Sequence, residues 1–266
     1  MNQRQALHAP RPGHICFIGA GPGAADLITL RGAQALAHAS VVLFDALTDP
    51  GFQALAPQAL WVDVGKRGFC SSTLQAHINA LLVHYGRQGE RVARLKGGDP
   101  SVFGRLEEEI EALAPAGLSY EVIPGITAAL AAAAATGRPL TRRGRGRSVA
   151  LSTAMTREGA FTAGQRADTE VFYMAGRQLA ALSRRLLDAG WVADTPVLVV
   201  SRAGCADQSQ SDHTVATLAA TVVLHAGRPT VVTVGVGASP LGVNAPAAVA
   251  EISEFEGHRA EALAST

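Results

Sequence analysis

Apolar residues fall in short blocks along this chain, and in its first half each block runs into a turn rich in glycine. Residues 14–18 form the first block and end in the string GAGPG. Residues 41–44 form a second, 60–64 a third ending in GKRG, 91–95 a fourth running into KGGDP, and 120–123 a fifth ending in PGIT. Blocks of four to six without strict alternation are the pattern of strands buried on both faces of a parallel sheet. Between them the period changes to that of helices. Residues 26–39 place Leu27, Leu30, Ala33 and Leu36 at helical spacing, 74–87 and 106–114 read as two further helices, and an alanine-rich helix closes at Gly137.

The stretch 138–147, RPLTRRGRGR, is basic, punctuated by glycine and nearly free of core residues, so it reads as a connection. Beyond it, strands are predicted at 149–152, 170–173, 197–201 and 230–234, with helices at 178–189 and 217–224. The alternation predicts an α/β protein made of two α/β domains with a ligand cleft between them. The boundaries expected are a flexible tail over 1–13, an N-terminal domain over 14–140, a linker over 141–148 and a C-terminal domain over 149–257. In open parallel sheets ligands bind beyond the carboxyl ends of the strands, where four of the glycine loops sit, so the cleft is the expected site.

Composition narrows the function. Apolar residues make up 48% of the chain and charged residues 17%, enough for a well-buried core. Aromatics at 5% and a net charge of +1 argue against a nucleic-acid surface and give no field to attract anionic lipid. The cysteines Cys16, Cys70 and Cys205 form no C-x-x-C pair, so neither a zinc cage nor a disulfide framework is expected. No stretch has the apolar length of a membrane span, and the polar tail lacks the core of a secretion signal. A soluble cytoplasmic protein is the expectation. The basic residues are almost all arginine. The two lysines, Lys66 and Lys96, both fall in glycine-bearing loops.

Gly19-Ala20-Gly21-Pro22-Gly23-Ala24 matches the glycine fingerprint of dinucleotide-binding folds, and Asp45 stands where a ribose-binding acid belongs. A nicotinamide or flavin oxidoreductase is therefore a competing reading. Against it, Pro22 removes a backbone N–H from the turn that would cradle a pyrophosphate, and the other loops are left without a purpose. A sensor that binds a nucleoside without turnover is a third reading, which nothing in the sequence favours.

Taken together, the strings FIGAGPGAADLITLRG, VVLFDAL, VGKRG, RVARLKGGDPSVFGR followed by EEE, EVIPGITAA, GRPLTRR and VFYM resemble the uroporphyrinogen III C-methyltransferases of the tetrapyrrole methylase family, over residues 14–240. The resemblance implies S-adenosylmethionine as the methyl donor, S-adenosylhomocysteine as its product, no metal, and a homodimer. It implies two successive ring-carbon methylations of uroporphyrinogen III, giving precorrin-2; methylation of a different tetrapyrrole intermediate is the alternative. It places the donor against Pro22, Gly97, Gly98, Asp99, Val102, Thr127, Ala128, Met174 and Ala203. It matches Asp45 to a general base and Lys66 to a general acid. The chain departs from the family's usual strings at Arg142, at Ala154, at Ala175 and in the loop SRAG over 201–204.

Each of these residues also has a plainer reading. Asp45 can cap its own turn, Lys66 can pair with substrate carboxylates, and Asp99 can be a turn residue fixed by Pro100. Thr127 suits a helix N-cap, and Met174 suits a core gap. A polycarboxylate substrate calls for arginines. The candidates are Arg67, Arg105 and Arg142, followed by Arg94, Arg138 and Arg143. The acidic run 107–111 reads as a solvated helix face.

Overall fold

A computed structural model describes residues 13–45, 48–65, 71–155 and 167–241, the side chains of 71–74 excepted. Two five-stranded sheets organise them. The first contains β1 (His14–Gly19), β2 (Val41–Phe44), β3 (Leu60–Asp63), β4 (Arg91–Lys96) and β5 (Ser119–Ile123) in the order β3-β2-β4-β1-β5. All of its pairings are parallel. Side chains alternate between its two faces. Ile15, Phe17, Leu43 and Val92 pack under Ile78 and Leu82 of helix α2 (Ser71–Arg87) and Leu113 of helix α3 (Leu106–Leu113). Ile18, Val42, Ala93 and Leu95 pack on the opposite face with Leu36 of helix α1 (Leu30–Ala37) and Phe52. The double coverage explains why β1 and β2 read as nearly continuous apolar runs.

Helix α1 starts four residues later than the sequence pattern predicts. The segment Ala25–Leu27 forms a 3-10 turn instead. The Thr29 hydroxyl accepts the Gly32 N–H at 3.1 Å and sets the helix start there. The glycine loop after β1 therefore leads into this 3-10 turn. It does not lead directly into a helix whose N-terminus could face a pyrophosphate, as the dinucleotide-binding reading requires.

The second sheet contains β6 (Val149–Thr153), β7 (Thr169–Tyr173), β8 (Pro196–Ser201), β9 (Ser209–Thr214) and β10 (Thr230–Gly235) in the order β6-β7-β10-β8-β9. It is mixed: β6 and β7 are parallel, whereas β10 runs antiparallel to both its neighbours and β9 antiparallel to β8. The polar edge strand β9, SQSDHT, escapes a reading based on apolar blocks because edge pairing needs only backbone. Helix α5 (Leu179–Asp188) covers one face with Leu179, Leu182 and Leu186. The other face is covered by helix α4 (Ala128–Thr136), which follows β5 in the chain yet buries Ala129, Ala131 and Ala132 against Val171, Leu198, Val200 and Val231. Alanine there lets the helix lie close to the sheet.

The connecting stretch is anchored to the second sheet. Arg138 is buried, forms an ion pair with both carboxylate oxygens of Asp212 and donates to the Ala238 carbonyl. Arg142 donates to the carbonyls of Ser239 and Pro240. The Asp168 carboxylate receives the backbone N–H groups of Arg147 and Ser148. No helix among the described residues is long and apolar enough to cross a membrane.

Candidate active site

Three glycine loops of the first sheet touch one another through their backbones. Gly21 and Gly98 exchange backbone hydrogen bonds, at 3.2 Å from the Gly21 N–H and 2.6 Å from the Gly98 N–H. A Cβ on Gly125 would collide with the Gly98 carbonyl and the Gly19 backbone. This close approach is what the glycines at the ends of β1, β4 and β5 permit. Asp99 completes the junction. Its Oδ1 accepts the Ser101 N–H at 2.8 Å and its Oδ2 accepts the Gly125 N–H at 2.9 Å, tying the loop after β4 to the loop after β5.

This junction forms one wall of a cleft of about 250 Å³. Pro22, Gly97, Gly98, Asp99, Val102, Thr127 and Ala128 line that side. Met174 and Ala203 line the other, from the ends of β7 and β8. All nine positions matched to the methyl donor thus meet in one cavity. The lining also includes Phe103, Tyr173, Arg202 and Thr230, which the sequence reading did not single out. Three lining residues other than glycine have left-handed backbone: Phe103 at φ 53°, Met174 at φ 57° and Arg202 at φ 51°. Such strain costs about 1–3 kcal/mol per residue and concentrates at functional sites. It has no sequence signature in residues other than glycine, which is why Phe103 and Arg202 went unread.

The Thr127 side chain does not cap α4. Its hydroxyl pairs with the Tyr173 hydroxyl at 2.7 Å, across from the second sheet. Burial pushes the Tyr173 phenol above its ordinary range, and hydrogen bonds from Thr127 and the Ala129 backbone oppose that shift. Phe103 stacks at a tilt on the Tyr173 ring, with centroids 5.1 Å apart. The wall combines apolar surface with a few convergent polar groups, the make-up of a small-molecule site. At Gly97 a Cβ would meet nothing within 4 Å, so the backbone there faces open space.

A larger cavity of about 680 Å³ adjoins the cleft and shares Pro22, Arg202 and Pro229 with it. Thr48, Asp49 and Pro50, from the loop after β2, line its far side. Arg202 donates to Asp207 at 2.6 Å, and Arg228 pairs with the same carboxylate.

Asp45 follows β2 on the same sheet rim as Gly97 and Gly98. The neighbouring strand β4 supplies its partner: Arg94 Nη2 lies 2.9 Å from Asp45 Oδ1. Arg94 is buried and also bonds Glu109 Oε1, which Lys96 Nζ approaches at 2.8 Å. Two expectations are corrected here. Glu109 is fully buried and does not lie on a solvated face, and Arg94, like Arg138, is committed to internal ion pairs and is unavailable to a substrate. Burial and the Arg94 charge hold Lys96 below its ordinary pKa. Arg105 and Arg142 do not line the cleft; Arg105 pairs with Glu108 through two hydrogen bonds at 2.7 and 2.6 Å. Lys66 and Arg67 lie outside the described residues.

Among the described residues, one cluster of metal-ligating types stands apart, formed by His14, Cys16 and Glu121. Burial and Glu121 push the Cys16 thiol up to about 11, so it is protonated at neutral pH.

The family model of tetrapyrrole (corrin/porphyrin) methylases matches residues 14–219. The chain belongs to this family. A uroporphyrinogen-III C-methyltransferase of Pseudomonas aeruginosa is 44% identical to this tetrapyrrole methylase over 202 residues, which is 74% of this chain and 82% of that one. A siroheme synthase of Edwardsiella ictaluri is 42% identical over 209 residues, and the matched part is 74% of this chain but only 45% of the relative. Among solved structures, the uroporphyrin-III C-methyl transferase of Thermus thermophilus complexed with S-adenyl homocysteine superposes with a TM-score of 0.72 at 34% identity, covering 84% of this chain and 97% of that one. A cobalt precorrin-4 methyltransferase superposes with a TM-score of 0.75 at 27% identity over 85% of this chain.

Proposed function

We propose that this tetrapyrrole methylase is a uroporphyrinogen III C-methyltransferase that uses S-adenosylmethionine twice to give precorrin-2. One observation carries the reading: Pro22, Gly97, Gly98, Asp99, Val102, Thr127, Ala128, Met174 and Ala203, scattered along the sequence, line a single cleft between the two sheets. The 44% identity to a uroporphyrinogen-III C-methyltransferase, and a similar fold crystallised with S-adenyl homocysteine, support both donor and substrate.

When bound, the donor supplies an electrophilic methyl on sulfur. The chain's contribution is chiefly positioning, because attack requires the ring carbon in line with the S–CH3 bond. The loops of Pro22, Gly97–Asp99 and Thr127–Ala128 would hold the donor from one wall of the cleft, with Met174 and Ala203 on the other. The adjoining cavity, walled by Thr48, Asp49 and Arg202, receives the macrocycle beside the donor. Asp45, at the same rim, accepts the proton that the methylated ring must lose. Lys66 supplies a proton or pairs with a substrate carboxylate, and Arg67 serves the polycarboxylate substrate, whereas Arg105, paired with Glu108, and Arg142, bonded to the Ser239 and Pro240 carbonyls, line neither cavity. The enzyme works as a homodimer in the cytoplasm, without metal, nucleic acid or membrane partner. Titration calorimetry with S-adenosylhomocysteine and with NADPH tests the donor: binding of the former alone is expected, and binding of NADPH alone would overturn the reading.

A further inference from the structure

Beneath the rim that carries Asp45 lies a buried set of charges that donor binding does not use. Arg94 and Lys96 are two cations on β4, each with side-chain exposure of 3%, and Glu109 on α3 is a carboxylate at 1%. Without Asp45 the set would hold two buried cations against one buried anion. Asp45 balances it, yet its own side chain remains 34% exposed, at the outer end of the chain of contacts.

The Arg94 guanidinium is held on three sides. Its Nε and Nη2 donate to Glu109 Oε1, both at 3.3 Å, and its Nη1 donates to the carbonyls of Leu95 at 3.0 Å and Leu43 at 3.5 Å. Its Nη2 edge is thereby aimed at Asp45 Oδ1, 2.9 Å away. Glu109 is fixed in turn by Lys96 at 2.8 Å and by Gln75 at 3.3 Å. A guanidinium is suited to this task because its planar fork cannot swivel once several of its N–H groups are engaged. Asp45 itself follows the last residue of β2, where a loop carboxylate would otherwise sample several rotamers.

We propose that Arg94, anchored by Glu109, is the positioning residue that fixes the Asp45 carboxylate for proton removal. The proposal rests on the reading of Asp45 as the base. Arg94 does not touch substrate or donor; it acts through Asp45 alone. Replacing it should therefore leave donor binding intact and slow turnover, and the loss should vanish where Asp45 is already neutral.

The test is a double-mutant cycle on the full chain with uroporphyrinogen III, read together with calorimetric binding of S-adenosylhomocysteine and thermal melting. Arg94→Lys keeps a cation beside Glu109 but is shorter and lacks the fork. It is expected to lower kcat by roughly 10- to 100-fold, the scale of a misplaced catalytic group, with KM for the donor and the dissociation constant for S-adenosylhomocysteine within about twofold of wild type. The double variant Asp45→Asn with Arg94→Lys is expected to be no slower than Asp45→Asn alone. Wild-type kcat in Arg94→Lys, or losses that multiply in the double variant, would overturn the proposal. If Arg94→Lys melts below the assay temperature, Glu109→Gln takes its place, with a smaller fall in kcat expected and full activity overturning the proposal. Wild-type turnover in Asp45→Asn would instead remove the reading on which the proposal stands.

Discussion

The hydroxyl of Thr127 lies 2.7 Å from the hydroxyl of Tyr173. One residue follows β5 of the first sheet and the other ends β7 of the second, so the bond closes the cleft from both sides. The same geometry frees Thr127 from the capping role that its position ahead of α4 suggests.

Removing that bond should loosen the cleft without unfolding either sheet. Tyr173→Phe keeps the ring that packs on Phe103 and is expected to weaken S-adenosylhomocysteine binding by about two- to tenfold, the scale of one net hydrogen bond. Calorimetry measures it. Unchanged affinity would mean the bond does not organise the cleft.

Asp99 offers a sharper separation. Both its oxygens accept backbone N–H groups, so Asp99→Ala leaves Ser101 and Gly125 without a partner and unties two loops. Each hydrogen bond to a charged group is worth about 1.5–3 kcal/mol. A lower melting temperature and a weaker S-adenosylhomocysteine complex should appear together, with Asp99→Asn intermediate in both. A fall in one without the other would show that the brace and the ligand site are independent.

Gly97 probes the cavity itself. Its backbone is not left-handed, and an added side chain would meet no protein atom within 4 Å. Gly97→Val should therefore fold with a nearly unchanged melting temperature yet lose at least about tenfold in S-adenosylhomocysteine affinity, about 1.4 kcal/mol. Undiminished affinity would place the ligand elsewhere.

Buried His225 predicts a pH dependence of stability. Its ring bonds the hydroxyls of Ser201 at 2.7 Å and Ser211 at 2.8 Å. Burial, then the charges of His213 and Arg228, hold its pKa below the ordinary histidine value. The folded imidazole stays neutral while the unfolded chain takes up a proton near its ordinary pKa of about 6.5. Stability is therefore fully present above that pH and falls as the pH drops from there through the lower folded value. Melting temperatures between about pH 7.5 and pH 5 should decline, and less steeply in His225→Gln; equal slopes would contradict the assignment.

The first sheet was largely legible in the sequence, because strands covered on both faces are mostly apolar and Val41–Phe44 can hardly read otherwise, although β4 buries Arg94 and Lys96 among its apolar residues. The glycine strings were legible as a candidate site for a related reason: backbones that touch, as at Gly19 and Gly125, exclude side chains. What stayed hidden depends on partners distant in sequence. Glu109 looks solvated inside an acidic run until Arg94 and Lys96 are brought beneath it by β4. The polar strand β9 carries no apolar signal, and Tyr173 and Arg202 join the cleft only because the second sheet faces the first.

The account stands most directly on one measurement: mass analysis of uroporphyrinogen III after incubation with the enzyme and methyl-labelled S-adenosylmethionine. Products carrying one and then two labelled methyl groups are expected, with formation of both suppressed in Gly97→Val. Recovery of unmethylated tetrapyrrole from an enzyme that binds S-adenosylhomocysteine would contradict it.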